Sequence, residues 1–312
     1  MPKLNVQQNN QNVIQAFKNA LAIGNLKGII ASDGSHNFST AGSNRNLLDN
    51  PWFTVRQRGA GPFTGTSIHS ADRWKSTGGN PTVNLLSPYG IQIVNTTNSN
   101  VDQYLSYTKE DLDGKTVTLS VLSDDGITSG TGTFDVSSNS YIITFTFGSG
   151  KWYCRFGYFS SVHARPFIRI ANVTSNESTS VNIYAIKLEL GSVSTLANDA
   201  PPELSIARIP CYENHLRLKG QYAPVGYAIA LSTTLALLAI PTPVPMRIAP
   251  TPSLSGTLYF NAGTPFAITS VQNPTLGVNQ VMIQVVGTFD TGKVYLAQFR
   301  DANSYLDLSA DL

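Results

Sequence analysis

Charge is what this 312-residue chain has least of: Asp, Glu, Lys and Arg make up 13% of it, about half of the ~25% usual for globular proteins. The 19 acidic and 21 basic residues nearly cancel, to a formal +2. With no run of Lys or Arg, the electrostatic footprint of a nucleic-acid binder is missing. Cysteine is scarce as well. Cys154 and Cys211 lie in different regions, which is not the pattern of a disulfide framework; Cys154, among the alternating aromatics of WYCRFGYF, reads as a buried thiol. No apolar run reaches the ~20 residues of a spanning helix. The longest, Val225 to Ile240, is broken by Ser232, Thr233 and Thr234 and fenced by Pro224 and Pro241, and reads as buried β structure. The N-terminal MPKLNVQQNNQNV lacks the charged-then-apolar layout of a secretory signal, so synthesis and folding in a cytoplasm are expected.

The signatures of catalysis are missing too. His36, His69, His163 and His215 are far apart, and no HxH, HExxH or CxxC spacing occurs, as a metal centre would need. There is no GxSxG elbow. The glycine stretches at 130–132 and 148–150 lack the partners of a phosphate loop. No local signature marks the two opposed carboxylates of a glycosidase. The expectation is a protein that is not an enzyme. Glu110, Asp111 and Asp113 carry the oxygens that calcium takes, but the favoured reading is an acidic turn opening a strand, so no cofactor is expected.

What the chain has in abundance is Ser, Thr and Asn around short alternating strands. Val6, Val13, Ile14, Phe17 and Leu21 recur at three-, four- and seven-residue spacings, predicting a helix over residues 4–23 with one narrow apolar stripe. Such a helix forms no core alone. It docks either on copies of itself or another protein, or on the chain's own β domain. Residues 24–45 read as a Gly/Ser/Asn-rich connector.

From 46 to 198, short strands such as Thr116–Val121, YIITFTF at 141–147 and Val181–Leu190 alternate with turns at Asp113-Gly114 and Asp125-Gly126. These predict a β-sandwich. Residues 199–220 read as a linker whose short helix starts after Pro201-Pro202 and stops at Pro210. Residues 221–312 predict a smaller β domain. In it the alternate prolines 241, 243 and 245 suit an edge strand or a polyproline segment and not a central strand.

Sugars stack their apolar ring faces on aromatic side chains. Trp74 and Trp152 sit in core-like patterns, whereas Trp52, Tyr89, Tyr104 and Tyr107 lie in loop-like or strand-edge sequence and are the candidate glycan contacts.

The order of several short blocks carries a resemblance: NLLDNPWF at 46–53 with QRG at 57–59, ADRW at 71–74, EDLDGKTVTLS at 110–120, IKLELGS at 186–192, and IPTPVPMRIAPTPSLSG at 240–256. Together they resemble the scaffold of bacteriophage fibre and appendage proteins with a carbohydrate-binding-module-like jelly roll. The resemblance implies a mainly β trimer on a virion surface, with residues 1–45 attaching it to other virion proteins. The favoured function for such a part is adsorption to a host-surface glycan, with a purely structural head-fibre, collar or decoration role, or less readily a polysaccharide depolymerase, as alternatives. The resemblance implies no catalytic residues.

Overall fold

The computed structural model describes residues 44–310, apart from 96–98, 161–164, 174–178, 262–265, 269 and 278–279, and before them a backbone pairing of Ala31–Ser32 with Phe38–Ser39. The expected helix over 4–23, with Val6, Val13, Ile14, Phe17 and Leu21, lies outside the described residues.

The chain is mainly β, and every described strand pairing is antiparallel. Two sheets enclose the first core. One has five strands, in the order Tyr141–Phe147, Trp152–Gly157, Phe167–Asn172, Asn100–Tyr104 and Lys75–Gly78. The other has six: Phe63–Thr64, Thr82–Leu85, Ile91–Asn95, Thr179–Leu190, Thr116–Ser123 and Gly126–Thr133. Alternation decides which side each residue faces. Val117, Leu119 and Val121 point inward from one sheet, and Trp152, Cys154 and Phe156 from the other. Trp74, Trp152, Phe53, Phe134 and Phe156 fill the space between, all fully buried, each contributing about 1.5–3 kcal/mol on leaving water.

The C-terminal unit is built from a three-stranded sheet, His215–Lys219, Tyr305–Ser309 and Thr251–Ser255, and a seven-stranded one. The latter runs Phe266–Ile268, Leu258–Asn261, Val294–Phe299, Pro224–Ala230, Leu235–Pro241, Gln280–Val286 and Val271–Gly277. Leu216, Leu238, Phe260, Ile283, Phe299 and Leu306 share its core.

Three local expectations need correction. His215–Lys219 falls in the expected linker but is a strand, pairing along its length with Tyr305–Ser309. The preceding helix, Leu204–Tyr212, continues through Pro210. Pro210 lies in its last turn, where it forgoes a single i→i−4 hydrogen bond, to the Ile206 carbonyl, and the Asn214 side-chain amide caps the Pro210 carbonyl at 2.9 Å; Ala207 and Cys211 anchor the helix against Val55. Of the alternate prolines, only Pro241 is in a strand. It is the last residue of Leu235–Pro241, a strand with neighbours on both sides, so its missing donor falls at a strand end and not along an edge.

The apolar run 225–240 is a hairpin, turned at Ser232, whose Oγ accepts from the amides of Thr234 and Leu235. Only one of its faces is buried. Among the described residues no helix is long and apolar enough to cross a membrane. Cys154 and Cys211 are both buried and form no disulfide; burial pushes the Cys154 thiol well above its usual range.

Candidate functional site

The blocks that stand out in the sequence are spent on bracing the scaffold. The Asn46 side chain donates to the Ile186 carbonyl at 2.9 Å and accepts from the amides of Leu48 and Leu188 at 3.1 Å. Asn50, buried, donates to the carbonyls of Val55 and Asp72 at 3.0 Å and accepts from the Val55 amide at 2.9 Å. Trp74 Nε1 donates to the Asn50 carbonyl, and Arg73 joins Asp49 at 3.0 Å to the Tyr104 carbonyl at 2.7 Å. In IKLEL, Lys187 and Glu189 are wholly buried: Lys187 Nζ is 2.9 Å from Asp199 and 3.7 Å from Glu189, and Glu189 accepts from the Thr195 amide at 2.8 Å.

QRG and ADRW clasp the two β units together. Gln57 Nε2 donates to the buried Asp72 carboxylate at 2.5 Å and to the His215 carbonyl at 2.8 Å, while its Oε1 accepts from the Arg217 amide at 3.1 Å. Burial raises the Asp72 carboxyl above its ordinary value, against the pull of Arg58 and His215. On the C-terminal side of the junction, Arg217 grips Asp307 on the paired strand through two hydrogen bonds at 2.7 and 2.5 Å and stacks on Tyr305; His215 Nε2 is 3.3 Å from the same carboxylate. Burial opposes the Asp307 charge, but these hydrogen bonds outweigh it and hold the carboxyl at about 2.

With those residues assigned to the frame, one outward surface is built differently. On the solvent face of the six-stranded sheet, Asn84, Gln92 and Asn182 sit opposite one another on three adjacent strands. Their amides form a continuous chain: Asn84 donates to Gln92 at 3.1 Å, Gln92 to Asn182 at 3.2 Å, and Asn182 to Asp124 at 3.0 Å. Tyr184 donates to the other Asp124 oxygen at 2.6 Å, and that accepted proton raises the Tyr184 phenol above its usual range. The next row, Thr64, Thr82, Val94 and Ser180, is small-sided and mostly hydroxylated. At the other end Tyr89 packs edge-on against Trp52, ring centroids 5.2 Å apart.

Gly90 makes the approach of the 86–90 turn possible. At φ +97° it lies where a Cβ would meet the Ile183 carbonyl at 2.8 Å and the Tyr184 ring at 3.3 Å. A hollow of about 280 Å³ continues past Asp124, lined by Asp125, Ser149, Lys151 and Ser180 among others. Each primary amide offers a donor and an acceptor together, and the tyrosine rings offer apolar faces beside them. The row can therefore pair with a neutral polyhydroxyl ligand without moving charge.

The structure brings one candidate glycan contact, Tyr89, to this row. Tyr107 lies elsewhere, half-buried, in a groove of about 650 Å³ that also includes Leu47, Asp49, Ile206 and Ile209. Trp52 is 5% exposed and supports Tyr89 from beneath. Tyr104 is buried against Phe167, and burial together with Asp102 pushes its phenol up to about 12; neither ring offers a face to solvent. Asn84, Gln92, Asp124, Asn182 and Tyr184 did not stand out in the sequence. The signal for them is the alternation itself, since Gln92 lies between buried Ile91 and Ile93, and Asn182 and Tyr184 flank buried Ile183.

The acidic turn is a helix cap. Thr108 and Asp111 close a capping box at the short helix Lys109–Leu112, and Asp113 accepts from the Val136 amide at 2.9 Å. Among the described residues no three His, Cys, Asp or Glu side chains cluster as metal ligands. A further hollow, about 370 Å³, opens at the junction of the two units beside Arg56, Arg208, Arg217 and Lys219. Arg56 is committed to the carbonyls of Phe53, Leu86 and Gly90 and Arg217 to Asp307, leaving the exposed Arg208 and Lys219 as its outward cations. Compared with known proteins, the chain matches no family model and no curated protein.

Proposed function

We propose that this chain is a bacteriophage fibre or appendage subunit, a homotrimer whose jelly-roll domain binds a host-surface glycan through the row Asn84–Gln92–Asn182–Asp124 with Tyr184 and Tyr89. The observation that carries the reading is that row. It is an outward, register-matched line of amides ending in a carboxylate and edged by tyrosines, the combination that sugar hydroxyls and apolar sugar faces require. The order of the sequence blocks supports the virion assignment, with residues 1–45 as the attachment to other virion proteins. Contacts of this kind are individually weak; several copies on one particle convert them to firm adsorption.

The test uses the purified full chain on host cells and their extracted polysaccharide. Gln92→Ala/Asn182→Ala and Tyr184→Ala are expected to weaken binding at least tenfold while the melting temperature stays within about 2 °C, since outward substitutions change stability by about 0.5 kcal/mol or less. Absence of wild-type binding under conditions where the particle adsorbs would overturn the glycan reading. The second reading, a purely structural head-fibre, collar or decoration protein, is favoured by the spending of every resemblance block on scaffold. It predicts that deleting the gene leaves adsorption normal and particles fragile.

A further inference from the structure

The seven-stranded sheet of the C-terminal unit is apolar on both sides. Its inner face carries Leu238, Ile240, Ile283 and Phe299 in the core. An antiparallel sheet with one wet face normally alternates apolar-in with polar-out, and the outward positions of its four central strands do not. Tyr227 and Ile229 alternate outward on one strand, Leu235 and Leu237 on the next, with Val294 and Val286 on their outer neighbours. The remaining outward positions are apolar too, apart from Gln280, Gln284 and Gln298, and not one is charged.

The residues are contiguous and not scattered. Ile229 is opposite Leu237 on one side and Val294 on the other, and Leu235 is opposite Val286. Tyr227 is 64% exposed, Val294 56% and Ile229 45%.

We infer that this sheet face is buried against copies of the same chain. Four strands ~4.8 Å apart and seven residues ~3.3 Å each give a projected face of roughly 400 Å², before side-chain relief is counted. That is on the order of half the ~800 Å² that each partner brings to a standard interface, from one uninterrupted surface. The occupant follows from charge. The four central strands put no cation or anion outward, Arg300 lying beyond them over Tyr259, so this face meets no like-charge repulsion from its own copies, and three such faces can converge on the axis of a closed cyclic trimer. Primary amides such as the three glutamines pair with their own kind, which a partner of fixed charge would not reward. Around such an axis the corrugated side chains of neighbouring faces can interdigitate. The inference rests on the homo-oligomer proposed above and is independent of what the sandwich binds.

Sedimentation of the full chain at micromolar concentration tests it. The wild type is expected to be an oligomer. Leu237→Glu, and the strand-compatible pair Ile229→Thr/Leu237→Thr, are expected to raise the dissociation constant at least a hundredfold, with an unchanged far-ultraviolet spectrum. Val193→Glu, at an exposed apolar position outside this sheet, is expected to leave assembly intact. A wild type that is an oligomer unmoved by the sheet variants would overturn the inference and spare the proposed assembly. A monomeric wild type would overturn both and give the face to another protein.

Discussion

Replacing Asp307 by Asn probes the ion pair that braces the junction strand His215–Lys219 from within the C-terminal unit. The carboxylate sits between Arg217 and His215 and titrates near 2 against an ordinary 3.8. At about 1.4 kcal/mol per tenfold change, that depression corresponds to about 2 kcal/mol of stability. Screening at a side chain 16% exposed reduces the figure to about 1–2 kcal/mol. The sign follows from linkage. A carboxylate whose folded value is depressed stabilises above its unfolded value, and the contribution is lost as pH falls through the folded one. Asp307→Asn should therefore cost about 1–2 kcal/mol at pH 7, with the gap to wild type constant down to about pH 5, closing between there and pH 2.

Asp72 on the facing side has the opposite sign. Burial raises its value, so protonation on acidification favours the folded form. It is present in both proteins and cancels from the difference. Urea unfolding followed by circular dichroism at pH 7, 5, 3.5 and 2.5 measures the gap. A difference that does not change with pH would mean that the charge of Asp307 is not what holds Arg217 and His215 in place.

Two more perturbations bear on the frame. Lys187→Met leaves Glu189 and Asp199 facing an apolar side chain on the outer side of the sheet, beneath Thr195 and Asp199, and should cost about 3–5 kcal/mol, whereas adding Glu189→Leu should recover part of it; chemical denaturation of the single and double variants decides. Gly157→Ala places a Cβ 2.5 Å from the Ser140 carbonyl and 2.7 Å from Tyr141 Cα, between two paired strands. It should cost about 1–3 kcal/mol, visible as a lowered denaturation midpoint without loss of the amide row.

How far the fold can be read from the chain depends on how locally each element is specified. Val117, Leu119 and Val121 alternate within their own strand, and Asp125-Gly126 turns the chain at its end, so that hairpin needs no outside information. HLRLK is the opposite case. Its His215 and Arg217 look like linker residues because the carboxylate that answers them, Asp307, is 90 positions beyond Arg217. The helix across Pro210 hides for the same reason, since its contacts with Val55 are tertiary, although its cap Asn214 is only four residues from Pro210. The candidate site is half legible. Alternation puts Gln92, Asn182 and Tyr184 on the outer face, but only the pairing register aligns Gln92 with Asn84 on one side and Asn182 on the other. The exposed face of the 225–240 hairpin was hidden in a different way: a run apolar at nearly every position reads as buried throughout, although a second covered side can be supplied by another molecule.

The chain's three tryptophans, Trp52, Trp74 and Trp152, all lie in the sandwich, buried. The C-terminal unit has tyrosines but no indole. Intrinsic emission therefore watches one end of the molecule while backbone dichroism watches both. Superimposable melting curves from the two signals would mean that Gln57 and Arg217 make the halves a single cooperative body; curves that part would identify the junction as a hinge, with no label attached.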